Sequence, residues 1–152
     1  MIRIVAGDIA DPRVIELLQT HLERARAETA PGSAHALGLT GLMAPDVRFV
    51  AAWDDDMLAG CGALKVLSAA EGELKSMHTV EAMRGRGIGG ALVDHLVALG
   101  RTLGLSRLVL ETGSWDYFQP ARRLYLAHGF VECGPFGDYA DDPNSVFMTR
   151  QV

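Results

Sequence analysis

Apolar positions along the chain switch between two periodicities, and the switches mark out its elements. Ile2 to Val5 is a short β-prone run, and Asp11-Pro12 then offers an N-cap with proline at the first helical position. Ile15, Leu18 and Leu22 follow at three- and four-residue spacing, with Glu16, Gln19, Glu23 and Arg26 on the other faces. This predicts a helix to about Ala27. The mixed stretch Thr29 to Leu39 predicts a loop with at most a short helix, of the kind that covers a cleft. Arg48 to Trp53 and Met57 to Leu67 are apolar runs around the turn Asp54-Asp55-Asp56, which predicts an antiparallel hairpin. Glu71-Gly72 breaks the pattern. Glu73 to Val80 then alternates as a strand with Glu73, Lys75, Met77 and Thr79 on one face and His78 on the other.

The second half alternates strands with helices. A glycine-dense block, Arg84 to Gly90, opens onto a helix whose apolar side is Ile88, Ala91, Leu92, Leu96, Leu99 and Leu103, ended by Gly104. Leu105 to Glu111 predicts a strand, Pro120 to His128 a second helix stopped by Gly129, and Phe130 to Cys133 and Ser145 to Thr149 two closing strands. A hairpin meander followed by alternating strands and helices gives an α/β fold around a sheet of mixed polarity.

Composition narrows the setting. At 152 residues the chain is one ordinary domain, spanning 1–152. No window reaches the roughly 18 apolar residues of a membrane span, and Asp8 and Asp11 interrupt the N-terminal region before a signal-peptide core can form. The expectation is a soluble, cytoplasmic protein without a membrane partner. A net charge of −5 argues against general nucleic-acid binding. Yet arginines fall in two tight pairs, Arg84/Arg86 and Arg122/Arg123, so cations are concentrated locally. Cys61 and Cys133 are too few for a disulfide framework and read as core thiols, and the scattered histidines match no metal motif.

Strand, glycines and helix N-terminus together make an anion site, because first-turn N–H groups lack intrahelical partners and the helix dipole is positive there. A mononucleotide P-loop would need Gly-Lys-Ser/Thr, which Gly89-Gly90-Ala91 does not supply. Gly85, Gly87 and Gly90 satisfy G-x-G-x-x-G, and Glu111 ends the next strand as a ribose-binding acid would. However, Glu81 to Arg84 separates that strand from the glycines, and too few residues follow Glu111 to complete a dinucleotide-binding fold.

A third reading is a resemblance. Arg84-x-x-Gly87-x-Gly89, after ELKSMHTV and opening a helix, resembles the acyl-CoA signature of the GCN5-related N-acetyltransferase (GNAT) superfamily. PARRLYLAHGF, Pro120 to Phe130, is similar to that family's later L-Y-x-x-x-G-F helix. SAHALGL, LAGCGALK, GELKSM, ETGS and GDYADDPNSVFMT further resemble segments of small YsnE-like bacterial N-acetyltransferases.

The resemblance implies a mixed, mostly antiparallel central sheet flanked by helices, with acetyl-CoA as cosubstrate and no metal. It implies main-chain contacts to the pantetheine from Met77, His78 and Thr79, with the Met77 N–H facing the thioester oxygen. The pyrophosphate would lie on Arg84, Gly85, Arg86, Gly87, Ile88, Gly89 and Gly90. Tyr125 takes the place of the family's general acid, and at a pKa near 10 its hydroxyl is protonated at neutral pH. The asparagine that many relatives carry seven positions earlier is Phe118 here, so contacts to the cofactor differ at that point.

A primary amine is only about 0.04% neutral at pH 7, a handicap of roughly 4.6 kcal/mol, so a base is useful. Glu73 stands where some family members carry a strand glutamate, about 13 Å along the strand from Met77, so its proton transfer would pass through water. It reads equally as a solvated charge at a strand end. Glu111 is the second candidate, at a strand's C-terminal end where ligand crevices open, or else a cap on Thr112-Gly113. His78 reads as a packed strand histidine and His35 as a solvated loop residue, while Trp115, Tyr117 and Phe118 line an acceptor pocket or form a small core cluster. The expected activity is acetyl transfer to a small acceptor, an amine foremost. A non-catalytic CoA- or nucleotide-binding sensor is the alternative, and exposed strand edges are compatible with a homodimer.

Overall fold

The computed structural model describes residues 1–152. Its seven strands form one sheet in the order β1-β2-β3-β4-β5-β7-β6. The strands are β1 (Ile2–Ala6), β2 (Val47–Asp54), β3 (Met57–Val66), β4 (Glu71–Thr79), β5 (Arg107–Gly113), β6 (Val131–Cys133) and β7 (Ser145–Gln151). The helices are α1 (Pro12–Ala27), the one-turn α2 (Leu39–Leu42), α3 (Ile88–Thr102) and α4 (Gln119–Ala127). Only β4 and β5 are parallel, joined by the α3 crossover, and every other neighbouring pair is antiparallel.

Local signals explain most boundaries. The Asp11 side chain accepts from the Arg13 N–H and starts α1 with Pro12 in its first turn. Asp55, at φ 51°, carries the turn between β2 and β3. Glu71 and Gly72 lie inside β4 rather than breaking it. The turn falls earlier, where Ser68 Oγ accepts from the N–H groups of Ala70 and Glu71. Gly72 is a packing residue, since a Cβ there would come within 2.8 Å of Leu64 and Leu105.

Helices cover both faces of the sheet. α3 and α4 bury Ile88, Leu92, Val93, Leu96, Val97 and Tyr125 against Leu64, Leu74, Leu108 and Leu110. On the other face α1 and α2 pack Val14, Leu17, Leu18 and Leu42 on Val47, Phe49, Cys61 and Ala63. Under the β6–β7 connection, Val109, Phe136 and Phe147 form a third small cluster.

Two irregularities in β4 shape the molecule's centre. Cys61 pairs with His78 and Ala63 with Lys75, so Gly62 alone stands opposite both Ser76 and Met77. Ser76 carries this bulge at φ 57°, outside ordinary strand geometry. Second, β4 and β5 pair only from Glu71 with Arg107 to Leu74 with Leu110. Beyond Leu74, β4 follows β3 to Thr79 and β5 follows β7 to Gly113, so the two parallel strands part and leave a gap.

Candidate active site

The gap between β4 and β5 leads to two cavities that share His21, Ala25, Met77, Phe118, Ala121 and Tyr125. The smaller, about 110 Å³, is walled by the end of α1, the loop around His35, Glu73 to Met77, Glu111 to Gly113 and Tyr125. The larger, about 410 Å³, runs from Tyr125 past Met77, His78 and Thr79 to the glycine loop. A third cavity, about 470 Å³, lies beyond His78 and Arg84 and touches neither Tyr125 nor Glu111.

The glycine loop presents its backbone to the larger cavity. Gly85 and Gly87 both sit at φ 79°, a left-handed conformation that suits glycine, and a Cβ on either would meet nothing within 4 Å. Gly87 is the N-cap of α3, so the first N–H groups of that helix face the loop without intrahelical partners. Gly89 and Gly90 serve another purpose. A Cβ on Gly89 would approach Leu124 to 2.8 Å and one on Gly90 would approach His128 to 3.0 Å, so both allow α3 to lie close against α4. Ile88 is buried in the core, which leaves only its main chain available to a ligand. Arg84 lines the cavity, whereas Arg86 does not and its guanidinium stands 3.9 Å from Asp54. Arg122 donates to the carbonyls of Gly113, at 2.6 Å, and Trp115, so it ties α4 to β5 instead of offering its charge to a ligand.

Tyr125 is 6% exposed, stacks edge-on against Phe130 and borders both cavities. Burial, and secondarily the charge of Glu111, raise its hydroxyl well above the ordinary tyrosine value. Burial likewise raises the Glu111 carboxyl. The Ser145 hydroxyl, His35 and Lys75 oppose that rise, while the charge of Glu73 adds to it.

Glu73 is 4% exposed, not a solvated charge. Its Oε2 accepts from Lys75 Nζ at 3.2 Å and from the Tyr139 hydroxyl at 2.7 Å. Lys75 Nζ also donates to the Tyr139 hydroxyl oxygen and to the His35 carbonyl. The ring of His35 packs edge-on against Tyr139, and Ser33 Oγ donates to Asp142 Oδ2 at 2.6 Å. Two loops distant in sequence are thus tied together over β4.

The Ser76 bulge corrects the predicted face assignment. It inserts one residue, so Glu73 and Lys75 stay on the α1 side while Met77 joins Leu74 against α3 and His78 returns to the α1 side. There His78 Nδ1 lies 3.2 Å from His21 Nδ1. Burial lowers both imidazoles to about 4, with His21 further opposed by His78 and His78 by Arg84 and Arg24. Strict alternation contained no sign of this pair.

Cys61 is fully buried, its thiol pushed up to about 12 by burial, and it donates to the Ser76 carbonyl at 3.2 Å. Cys133 is only half-buried. Trp115 is 41% exposed, while Tyr117 and Phe118 stack edge-on beside the larger cavity, so these aromatics are not a core cluster. Phe118 lies on Gly113, where any Cβ would collide with the ring. No three His, Cys, Asp or Glu side chains converge as a metal site. Sequence reasoning missed Tyr139 and His21. The signal for Tyr139 was an aromatic residue within the polar segment GDYADDPNS.

A parted pair of parallel strands, a glycine loop opening a helix and a buried tyrosine between two cavities make up the candidate site. The acetyltransferase (GNAT) family pattern matches residues 14–130, and the chain belongs to that family. It is 44% identical over 149 residues to the uncharacterized N-acetyltransferase YsnE of Bacillus subtilis, covering 98% of this chain and 99% of that one. It is 37% identical to an IAA acetyltransferase of Azospirillum brasilense, over 91% of this chain and 90% of that one. Its fold matches that of the PaiA N-acetyltransferase of Thermoplasma acidophilum, solved with coenzyme A, at a TM-score of 0.77 and 17% identity, covering 100% and 99% of the two chains. No helix is long and apolar enough to cross a membrane.

Proposed function

We propose that the chain transfers the acetyl group of acetyl-CoA to the nitrogen of a small amine, with Glu111 as base and Tyr125 as acid. The observation that carries this is the position of Tyr125, at the junction of a groove that reaches the glycine loop and a small cavity lined by Glu73, Lys75 and Glu111. The groove fits the cosubstrate. The backbone of Gly85 to Gly90 and the guanidinium of Arg84 would take its phosphates, and the stretch Met77 to Thr79, paired with β3 but open on its β5 side, would lie along the pantetheine. When bound, acetyl-CoA supplies an acetyl group activated as a thioester. The acetyl–sulfur bond is exchanged for an acetyl–nitrogen bond, and the amine loses a proton while the departing sulfur gains one.

Glu111 suits the first proton. It is partly shielded from water, carries no ion-pair partner, and holds a raised pKa that makes it a better base than an ordinary carboxylate. Glu73 is bound to Lys75 and Tyr139, so it serves to position those two. Tyr125 suits the second proton, because its raised pKa keeps the hydroxyl protonated throughout the neutral range. The two groups are coupled. An ionised Glu111 discourages a tyrosinate, and once Glu111 has taken the amine's proton that opposition disappears.

Two measurements test this reading. Titration calorimetry with acetyl-CoA and CoA is expected to show binding. Release of free thiol is then followed against a panel of small amines and, separately, against IAA, because the Azospirillum relative is named for it. Binding without acceptor-dependent thiol release would replace the enzyme with a CoA-binding module.

A further inference from the structure

The small cavity also limits what can be acetylated there. At about 110 Å³ it is smaller than the roughly 150 Å³ cavity that takes one benzene, so only a few heavy atoms of the acceptor reach Tyr125. Its charged and titratable lining is His21 from α1, His35 from the covering loop, Glu73 and Lys75 from β4, Glu111 from β5 and Tyr125 from α4, with no arginine. Lys75 is the single permanent cation among them. All three of its N–H donors are spent, on Glu73, the Tyr139 hydroxyl and the His35 carbonyl, and its side chain is only 9% exposed. The side chain of Glu73, its counter-charge, is 5% exposed and leaves Lys75 no net charge to offer. Glu111 is left as the one cavity carboxylate without an ion pair.

We infer that this cavity selects a small ammonium compound that carries no carboxylate beside its amine, and that the Glu73–Lys75–Tyr139 cluster enforces the exclusion. The inference rests on the acetyltransferase reading above and adds the acceptor's class to it. An incoming ammonium meets the charge of Glu111 and can surrender a proton to it. A carboxylate on the neighbouring carbon would enter a site that already holds an unpaired carboxylate and whose cation has no donor free.

Matched pairs of acceptors test it on the unmodified protein with saturating acetyl-CoA at constant ionic strength. Ethanolamine is set against glycine, and valinol against valine, with thiol release as readout. The carboxylate-free member of each pair is expected to show a kcat/KM about a hundredfold higher. Equal or better turnover of the amino acids would overturn the inference while leaving the acetyltransferase standing. Thiol release with neither kind of amine would overturn both. Glu73→Gln adds an independent arm, because removing the counter-charge frees Lys75 to meet a carboxylate. The preference is then expected to shrink at least tenfold, and an unchanged ratio of kcat/KM values in a folded variant would remove the cluster from acceptor selection.

Discussion

In the proposed reaction Tyr125 and Glu111 divide the two proton transfers by environment, and each role can be separated from binding. Tyr125→Phe keeps the ring against Phe130 and deletes only the hydroxyl. Turnover is expected to fall about 10²- to 10⁴-fold while CoA affinity by calorimetry stays within about twofold. Glu111 has a different signature. Its folded pKa is raised, so its basic form is lost at a higher pH than for an ordinary carboxylate. The acid limb of kcat/KM for the amine is expected above the usual carboxylate range, and Glu111→Gln should abolish that limb along with most of the rate.

Residue placements were legible in proportion to how local their determinants are. Tyr125 and the Arg84 loop announced themselves because motif and conformation sit in the same few residues. The state of Glu73 did not, since its burial depends on Tyr139, which lies 66 positions away and reaches it through the β6–β7 connection. Arg86 reads as a cofactor charge and Arg122 as part of a local cation pair, because sequence shows charge without partners. Asp54 and two main-chain carbonyls are those partners.

Among the elements, β4 departs furthest from its sequence pattern. Alternation located the strand, but one residue at φ 57° exchanges the faces of Met77 and His78. A non-glycine residue in that region is held by its surroundings at a cost of about 1–2 kcal/mol. Ser76→Gly is therefore expected to preserve stability or raise it by up to about 1 kcal/mol, and Ser76→Val to lower it by more than about 2 kcal/mol, by chemical denaturation. The same bulge brings His78 to His21 and makes the contact of α1 with β4 sensitive to acid. Both imidazoles titrate near 6.5 when unfolded and near 4 when folded, so folding keeps them neutral. Their contribution is complete above about pH 6.5 and is lost as pH falls toward 4. The loss is on the order of 1–2 kcal/mol after allowing for the partial exposure of both rings. Replacing His21 with asparagine should flatten the stability profile across that window.

At the scale of the whole molecule, the mixed polarity of the sheet followed from where hairpin signals give way to crossover lengths. The parting of β4 from β5 did not, because nothing local marks the residue at which two parallel strands stop pairing. The acidic total of the chain leaves a cationic guanidinium, that of Arg84, at the groove. CoA binding is expected to weaken with added salt and to raise Tm with ligand concentration, by the equivalent of about 2.7 kcal/mol at a hundredfold excess over Kd. Absence of any thermal shift at millimolar CoA would contradict the groove's assignment.

The position of β7 between β5 and β6 also sets an order of assembly. Both of its neighbours precede it in the chain, so during synthesis β5 waits with an open edge and β6 waits without a partner until Ser145 to Gln151 emerges. Glu111 lies on that waiting edge, opposite Phe147. The β5 wall of the candidate site is therefore completed only when β7 docks, and a chain lacking Ser145 to Gln151 would expose that open edge to proteases or chaperones.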